Sequence, residues 1–228
     1  MKTSRDDKKF LTESDNYRGN GKFQSFPIQR IVSIIEENQK NGMKVAEIGT
    51  CDGSTVKGYI DIIEKNNGHH YSIDTFVGTI ITEENFEAFP HYKNAVYGSY
   101  GPWNDNLYET FQDNFIEYKN CMTILKGKSA DIIPLLPDDM DIIIIDASHY
   151  YKDVVSDIKL CLTKIKDGGI ICGDDCEDMS KANTFTEWEL KMDAVNEIHC
   201  GVVQAVYDIF GNDVNINRPV WSKIIVRN

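Results

Sequence analysis

From residue 44 onward the chain alternates short apolar runs with amphipathic helical segments, and this alternation limits the fold more than any other feature. The runs at 44–48, 70–73, 122–125, 141–145 and 170–172 have strand length. Between them, 55–66, 103–118, 130–136 and 154–165 carry apolar residues at helical spacing. Strands that return through helices to parallel neighbours predict an α/β fold: a Rossmann-like, doubly wound, mostly parallel sheet with helices on both faces. The run 141–145 is apolar throughout after its first residue, as a central strand covered on both sides should be. Two short strands near 213–216 and 221–226, joined by a polar turn, complete seven strands with an antiparallel edge strand. A helix at 25–38, with Ile28, Ile31, Val32 and Ile35 on one face, precedes the first strand. At 228 residues, one domain over 25–228 behind a mobile N-terminal arm of 1–24 is expected.

In an open sheet of this kind a ligand sits beyond the carboxyl ends of the strands. Four of the five strand ends carry a carboxylate: Glu47 just before the Gly49 break, Asp74, Asp146, and the pair Asp174–Asp175. The fifth ends in the turn Gly127-Lys128-Ser129-Ala130. Glu47, Gly49 and Gly53 form E-x-G-x-x-x-G, with Ser54 opening the next helix. That reads as strand, tight glycine turn and helix N-terminus, where the backbone can approach a ligand closely. The spacing is not the G-x-G-x-x-G of dinucleotide binders. Asp74 stands where an acid can accept from both hydroxyls of a ribose. Ser129 and Ala130 would offer a hydroxyl and an amide to an adenine edge. A purely structural βα turn and ordinary helix caps are compatible with the same residues.

Asp146, Asp174 and Asp175 follow adjacent strands, and converging carboxylates repel one another unless a cation intervenes. Oxygen-only ligation suits a hard ion such as Mg²⁺. His149, three residues after Asp146, is placed to take a proton from a substrate hydroxyl, and a neutral imidazole titrates near the working pH. Other chemistries find less support. Cys172 and Cys176 lack an obvious set of zinc partners, and no G-x-S-x-G nucleophile elbow is present. The aromatic stretch 75–102 is long enough for a lid, and 173–193 is acidic without a clear period.

Composition narrows the partners. The net charge of −12 argues against a nucleic-acid footprint, and no apolar run is long enough to span a membrane or open the chain as a signal peptide. Six scattered cysteines without a C-x-x-C pair point to reduced thiols and a cytoplasmic setting. A small-molecule or sugar acceptor is expected, with no nucleic acid and no membrane; a homo-oligomer is compatible with the sequence.

Taken together, EIGTCDGST at 47–55, SIDTF at 72–76, GKSADIIPLL at 127–136, IIIIDASHYYKDVVSDIKLCL at 142–162 and KDGGIICGDD at 166–175 resemble the class I S-adenosylmethionine-dependent methyltransferases. Within that class the likeness is to small O-methyltransferases of the catechol and macrolide-sugar kind and their cephalosporin-hydroxylase-like relatives. The resemblance implies that Glu47, Gly49, Gly53 and Ser54 meet the methionine portion of S-adenosylmethionine, Asp74 its ribose, and Ser129 and Ala130 its adenine. It implies that Asp146 lies by the cofactor and, with Asp174 and Asp175, holds Mg²⁺, and that His149 stands in the place of the catechol enzymes' lysine base. Ala147 and Ser148 depart from the D-G-D pattern of the sugar-modifying relatives. Two other functions stay open on the sequence: nucleoside-cofactor binding without methyl transfer, and nicotinamide-dependent oxidoreduction.

Overall fold

The computed structural model describes residues 26–77 and 107–227. The arm expected at 1–24 and most of the aromatic stretch expected as a lid lie outside the described residues. The element order is α1 (Phe26–Glu37), β1 (Lys44–Ile48), α2 (Ser54–Lys65), β2 (His69–Asp74), α3 (Leu107–Asn114), β3 (Met122–Lys126), α4 (Ser129–Ile132) and β4 (Met140–Ile145). Then come α5 (Tyr151–Lys164), β5 (Ile165–Gly173), α6 (Cys200–Phe210), β6 (Asn215–Asn217) and β7 (Val220–Ile224). The strands form one sheet in the order β3-β2-β1-β4-β5-β7-β6. β1 to β5 are mutually parallel; β7 runs antiparallel to β5 and to β6, so the reversed strand lies one place in from the edge.

Side-chain alternation explains why the central strands are apolar throughout. Val45, Ile142, Ile144 and Cys172 face one layer, where α1, α2 and α3 contribute Ile31, Ile60 and Phe111. Ala46, Ile48, Ile143, Ile145 and Ile171 face the other, against α5 and α6 through Ile158, Val203 and Val206. All six residues of β4 are buried. Covering both faces leaves ligands the strand ends, which is what positions the site.

Two elements differ from expectation. The helix read at 130–136 stops after one turn and tightens into a 3₁₀ turn, Ile133–Leu135, because Pro134 brings no amide to continue an α-helical ladder. The turn read at Lys166-Asp167-Gly168-Gly169 is instead part of β5, which runs for nine residues. An irregularity in its pairing with β4 absorbs the glycines, and Gly168 and Gly169 exchange backbone hydrogen bonds with Ile225, just past β7. The acidic stretch after β5 is irregular, with short 3₁₀ turns at Met179–Lys181 and Glu189–Lys191.

Candidate active site

The glycine turn between β1 and α2 lies across the end of β2. Gly49 donates its amide to the carbonyl of Ile73 at 2.8 Å, and its φ of +91° is one that side chains rarely adopt. A Cβ on Gly49 would collide with the carbonyl of Asp146. The turn is therefore seated directly against the end of β4. Cys51 donates its amide to Asp74 Oδ2 at 2.8 Å, and Phe76 donates to Asp74 Oδ1 at 2.6 Å. Gly127 donates to the carbonyl of Asp74 at 2.9 Å, which brings the β3–α4 turn alongside. The Thr75 hydroxyl stands 3.5 Å from Asp74 Oδ1 as well; an ionised carboxylate offers about four acceptor positions, so Asp74 keeps capacity chiefly on Oδ2. Burial raises its pKa, and those amide bonds work against the rise.

The remaining cofactor candidates divide. Ala130 is exposed at the start of α4, open to a ligand. The Ser129 hydroxyl is bonded to Asp157 of α5, so a ligand would have only its backbone to meet. Gly53 is a packing requirement, since a Cβ there would strike the Phe115 ring. Ser54 is buried, and its amide donates to Asp52 Oδ1 at 2.9 Å. Glu47 is 1% exposed and accepts from the Tyr59 hydroxyl at 2.6 Å, beneath α2. Burial pushes its pKa up to about 8, against the hydrogen bond from Tyr59. In this geometry the Glu47 carboxyl is buried beneath α2 on the Tyr59 hydroxyl, within electrostatic reach of Asp146 and Asp74.

Around β4 and β5 a small cavity is lined by Asp146, His149, Asp174, Asp175 and Trp221, among others. Asp146 keeps some accessible surface there. Crowding by protein, then the charge of Asp175, raises its pKa to about 7. Asp174 is raised to about 8 by burial and by the charges of Asp175 and Asp146; its Oδ1 accepts from the Asp175 amide at 2.7 Å. These mutual effects place the three acids in one electrostatic neighbourhood, as the strand order requires.

The structure also brings in residues that the sequence reading did not single out. His149 Nε2 lies 3.0 Å from Asp175 Oδ2, and its Nδ1 lies 2.9 Å from Asp193 Oδ1. Burial opposes a charge on this imidazole, but the two carboxylates outweigh it and hold its pKa well above the usual range. Asp175 follows the converse balance: burial would raise it, and the bond from His149 with the charges of His149 and His199 keeps it low. The neutral imidazole that a general base needs is thus not the form this geometry favours. His199, directly before α6, sets its Nδ1 2.5 Å from Glu177 Oε1 and 3.4 Å from Asp175 Oδ1. The rings of His149 and His199 pack edge to face with centroids 4.4 Å apart. Among the described residues, the group of three whose ligand atoms lie within 4.8 Å of one another is His149, Asp175 and His199. Asp146 and Asp174 stand outside it, so the oxygen-only set expected for Mg²⁺ is not the one assembled. Nothing in the spacing signals His199, fifty residues from His149; its only local mark is Gly201, two residues on, at the start of a helix.

Comparison with known proteins gives the family. The methyltransferase domain family matches residues 46–176, more than half of the chain. The chain belongs to that family and is a class I S-adenosylmethionine-dependent methyltransferase. No curated protein matches its sequence. Among solved structures it resembles the O-methyltransferase NovP, with 19% identity over 88% of this chain and 78% of that chain and a TM-score of 0.53. The calicheamicin methyltransferase CalS11 is 12% identical over 86% and 77%, with a TM-score of 0.58. Cofactor-bound Rv0187 from MTB is 12% identical over 94% and 86%, with a TM-score of 0.59. At such identities the likeness is one of fold. No helix among the described residues is long and apolar enough to cross a membrane.

Proposed function

We propose that the chain methylates a hydroxyl oxygen of a small molecule or sugar, with the reaction centred at the ends of β1, β4 and β5. The observation that carries this reading is the contact between Gly49 and the backbone of Asp146. It sets the turn expected to hold the methyl donor directly beside the acid–imidazole cluster, so donor and acceptor share one edge of the sheet. The shared fold of NovP, an O-methyltransferase, and CalS11, a calicheamicin methyltransferase, supports oxygen and a small-molecule acceptor.

S-adenosylmethionine supplies an electrophilic methyl group when bound. Asp74 keeps acceptor capacity for the ribose, Ala130 and the backbone of Ser129 border the adenine side, and the turn at Gly49 admits the methionine portion. The Mg²⁺ expectation fits less well, because the nitrogen donors of two imidazoles are the groups gathered at Asp175; no step is assigned to that ion. A hydroxyl needs a group to take its proton, and that group works best with a pKa near the operating pH. Asp146, pushed up to about 7 and lining the cavity, meets this condition better than His149, whose nitrogens both face carboxylates.

The test is transfer of isotopically labelled methyl from S-adenosylmethionine to a panel of hydroxylated metabolites and sugars, with amine- and thiol-bearing analogues beside them. Label should appear on oxygen, and Asp146→Asn should lower kcat by about 10²-fold or more while leaving binding of S-adenosylhomocysteine near normal. Label on nitrogen or carbon only, or an unchanged rate in Asp146→Asn, would overturn the assignment.

A further inference from the structure

The cluster at Asp175 has the makings of a cation site of a different kind from the carboxylate set read in the sequence. Its donors are two imidazoles and one carboxylate. For bonds of about 2.0–2.1 Å, donors around a four- or six-coordinate ion stand roughly 2.9–3.4 Å apart. The 3.0 Å from His149 Nε2 to Asp175 Oδ2 and the 3.4 Å from His199 Nδ1 to Asp175 Oδ1, the other oxygen of the same carboxylate, fall in that interval; His199 Nδ1 also faces Glu177 Oε1 at 2.5 Å, a contact that an ion would replace. His149 is also oriented by a second carboxylate. Asp193 Oδ1 accepts from His149 Nδ1, which turns Nε2 toward Asp175. A carboxylate behind a ligating histidine is the usual way in which a protein fixes tautomer and ring orientation at a metal.

Backbone packing makes the pairing of the two histidines specific. A Cβ on Gly201 would run into the carbonyl of His149 and come within 2.5 Å of the Tyr151 amide. The start of α6 therefore lies directly on the loop that carries His149, and His199 arrives beside it for that reason. An independent observation points to a ligand in the adjoining cavity, which His149 and Asp175 line. Trp221 is 1% exposed and lines the cavity with His149, Asp174 and Asp175, yet its indole N–H has no hydrogen-bond partner among the described residues. A buried donor without a partner is uncommon in native structures, and an oxygen held in that cavity would satisfy it.

We propose that His149, His199 and Asp175 bind a divalent transition cation of borderline hardness, such as Mn²⁺, Co²⁺ or Zn²⁺, in preference to Mg²⁺. Imidazole nitrogen suits those ions, whereas Mg²⁺ selects oxygen. The inference goes beyond the methyl-transfer reading and does not depend on it. Under it His149 serves as a ligand.

Cobalt(II) is the probe, because its visible bands distinguish nitrogen–oxygen ligation from thiolate. Full-length protein freed of metal by chelator is titrated with Co²⁺, alone and in competition with Mg²⁺. One Co²⁺ per chain should bind without a thiolate charge-transfer band, and a hundredfold excess of Mg²⁺ should not displace it. His199→Gln should weaken binding at least tenfold, and Asp193→Asn by roughly 10–100-fold, as for other groups behind a metal ligand. S-adenosylhomocysteine affinity, measured by calorimetry on the same samples, should stay near the wild-type value and shows that the variants are folded. If His199→Gln proves unfolded, Asp193→Asn carries the test alone. No cobalt binding, displacement by equimolar Mg²⁺, a thiolate spectrum, or wild-type affinity in the folded variants would overturn the site. Loss of methyl transfer with the cobalt site intact would instead count against the proposed function.

Discussion

At the scale of single residues, Glu47 shows what a strand does to a charged side chain. It lies on β1 opposite Ser72 and Ile144, on the face covered by α2, and its carboxyl meets the Tyr59 hydroxyl in the core. Burial penalises its charged form, so the folded chain holds the proton up to about pH 8 where the unfolded chain releases it near 4.5. The stability from this group is fully present below the unfolded value and is lost as pH rises through the folded one. Glu47→Gln removes the titration and keeps an acceptor for Tyr59. Denaturant unfolding at several pH values should show stability falling between pH 5 and 8 in the wild type. In the variant that slope should be smaller by up to about 1.4 kcal/mol per pH unit, the value for one proton. Identical slopes would mean that Glu47 is ionised in the fold.

The same residue marks a limit of the sequence. E-x-G-x-x-x-G correctly places a strand end and a turn, but an alternating strand gives no sign of which face looks at a helix. Glu47 and Asp74 read alike as strand-end acids; the structure sends one into the core and leaves the other at the edge. His149 was legible as a neighbour of Asp146. Its partners Asp193 and His199 were not, because they come from an irregular acidic stretch and from a helix start, joined to it by packing rather than by spacing.

At the scale of elements, α6 links the sheet to the site. Its hydrophobic face, with Val202, Val203 and Val206, packs in the layer of α5, and its first turn rests on the 149–151 backbone. Gly201→Val should therefore cost about 1–3 kcal/mol of stability, the scale of overpacking in a tight contact, measured by denaturant unfolding. It should also weaken cobalt binding, since His199 lies two residues away. A variant as stable as the wild type would show that α6 can shift without consequence. That the start of this helix brings His199 beside His149 was not readable, because an apolar period says what a helix packs on and not what its end touches.

At the scale of the whole molecule, the sheet separates two electrostatic regimes. At the amino ends of the strands, Asp141 bonds Lys40 and Lys166 and accepts from the Lys44 amide. Burial would raise that carboxyl, and the paired cations outweigh it and hold it low. At the carboxyl ends, burial and then the charge of Asp175 push Asp146 and Asp174 up. Asp141 therefore stabilises the fold above the ordinary carboxylate pKa, an effect lost in acid. The opposite end gains stability from whatever brings positive charge, whether an ion or the sulfonium of the methyl donor. This asymmetry is a property of the topology: the alternation of strand and helix, legible in the sequence, puts every loop of the site on one edge.

The central claim is that the methyl donor lies along the ends of β1 and β2 with its ribose on Asp74, and calorimetry with S-adenosylhomocysteine tests it most directly. Wild-type protein should bind the ligand, and Asp74→Ala should weaken binding by about 1.5–3 kcal/mol for each bond to the charged carboxylate that is lost. Because Asp74 also shapes the turn through Cys51 and Phe76, the 2′-deoxy form of the ligand is measured in both proteins. The missing hydroxyl should cost the wild type affinity and cost Asp74→Ala almost none. An unchanged Kd in the variant, or an equal loss with the deoxy ligand in both proteins, would contradict the placement.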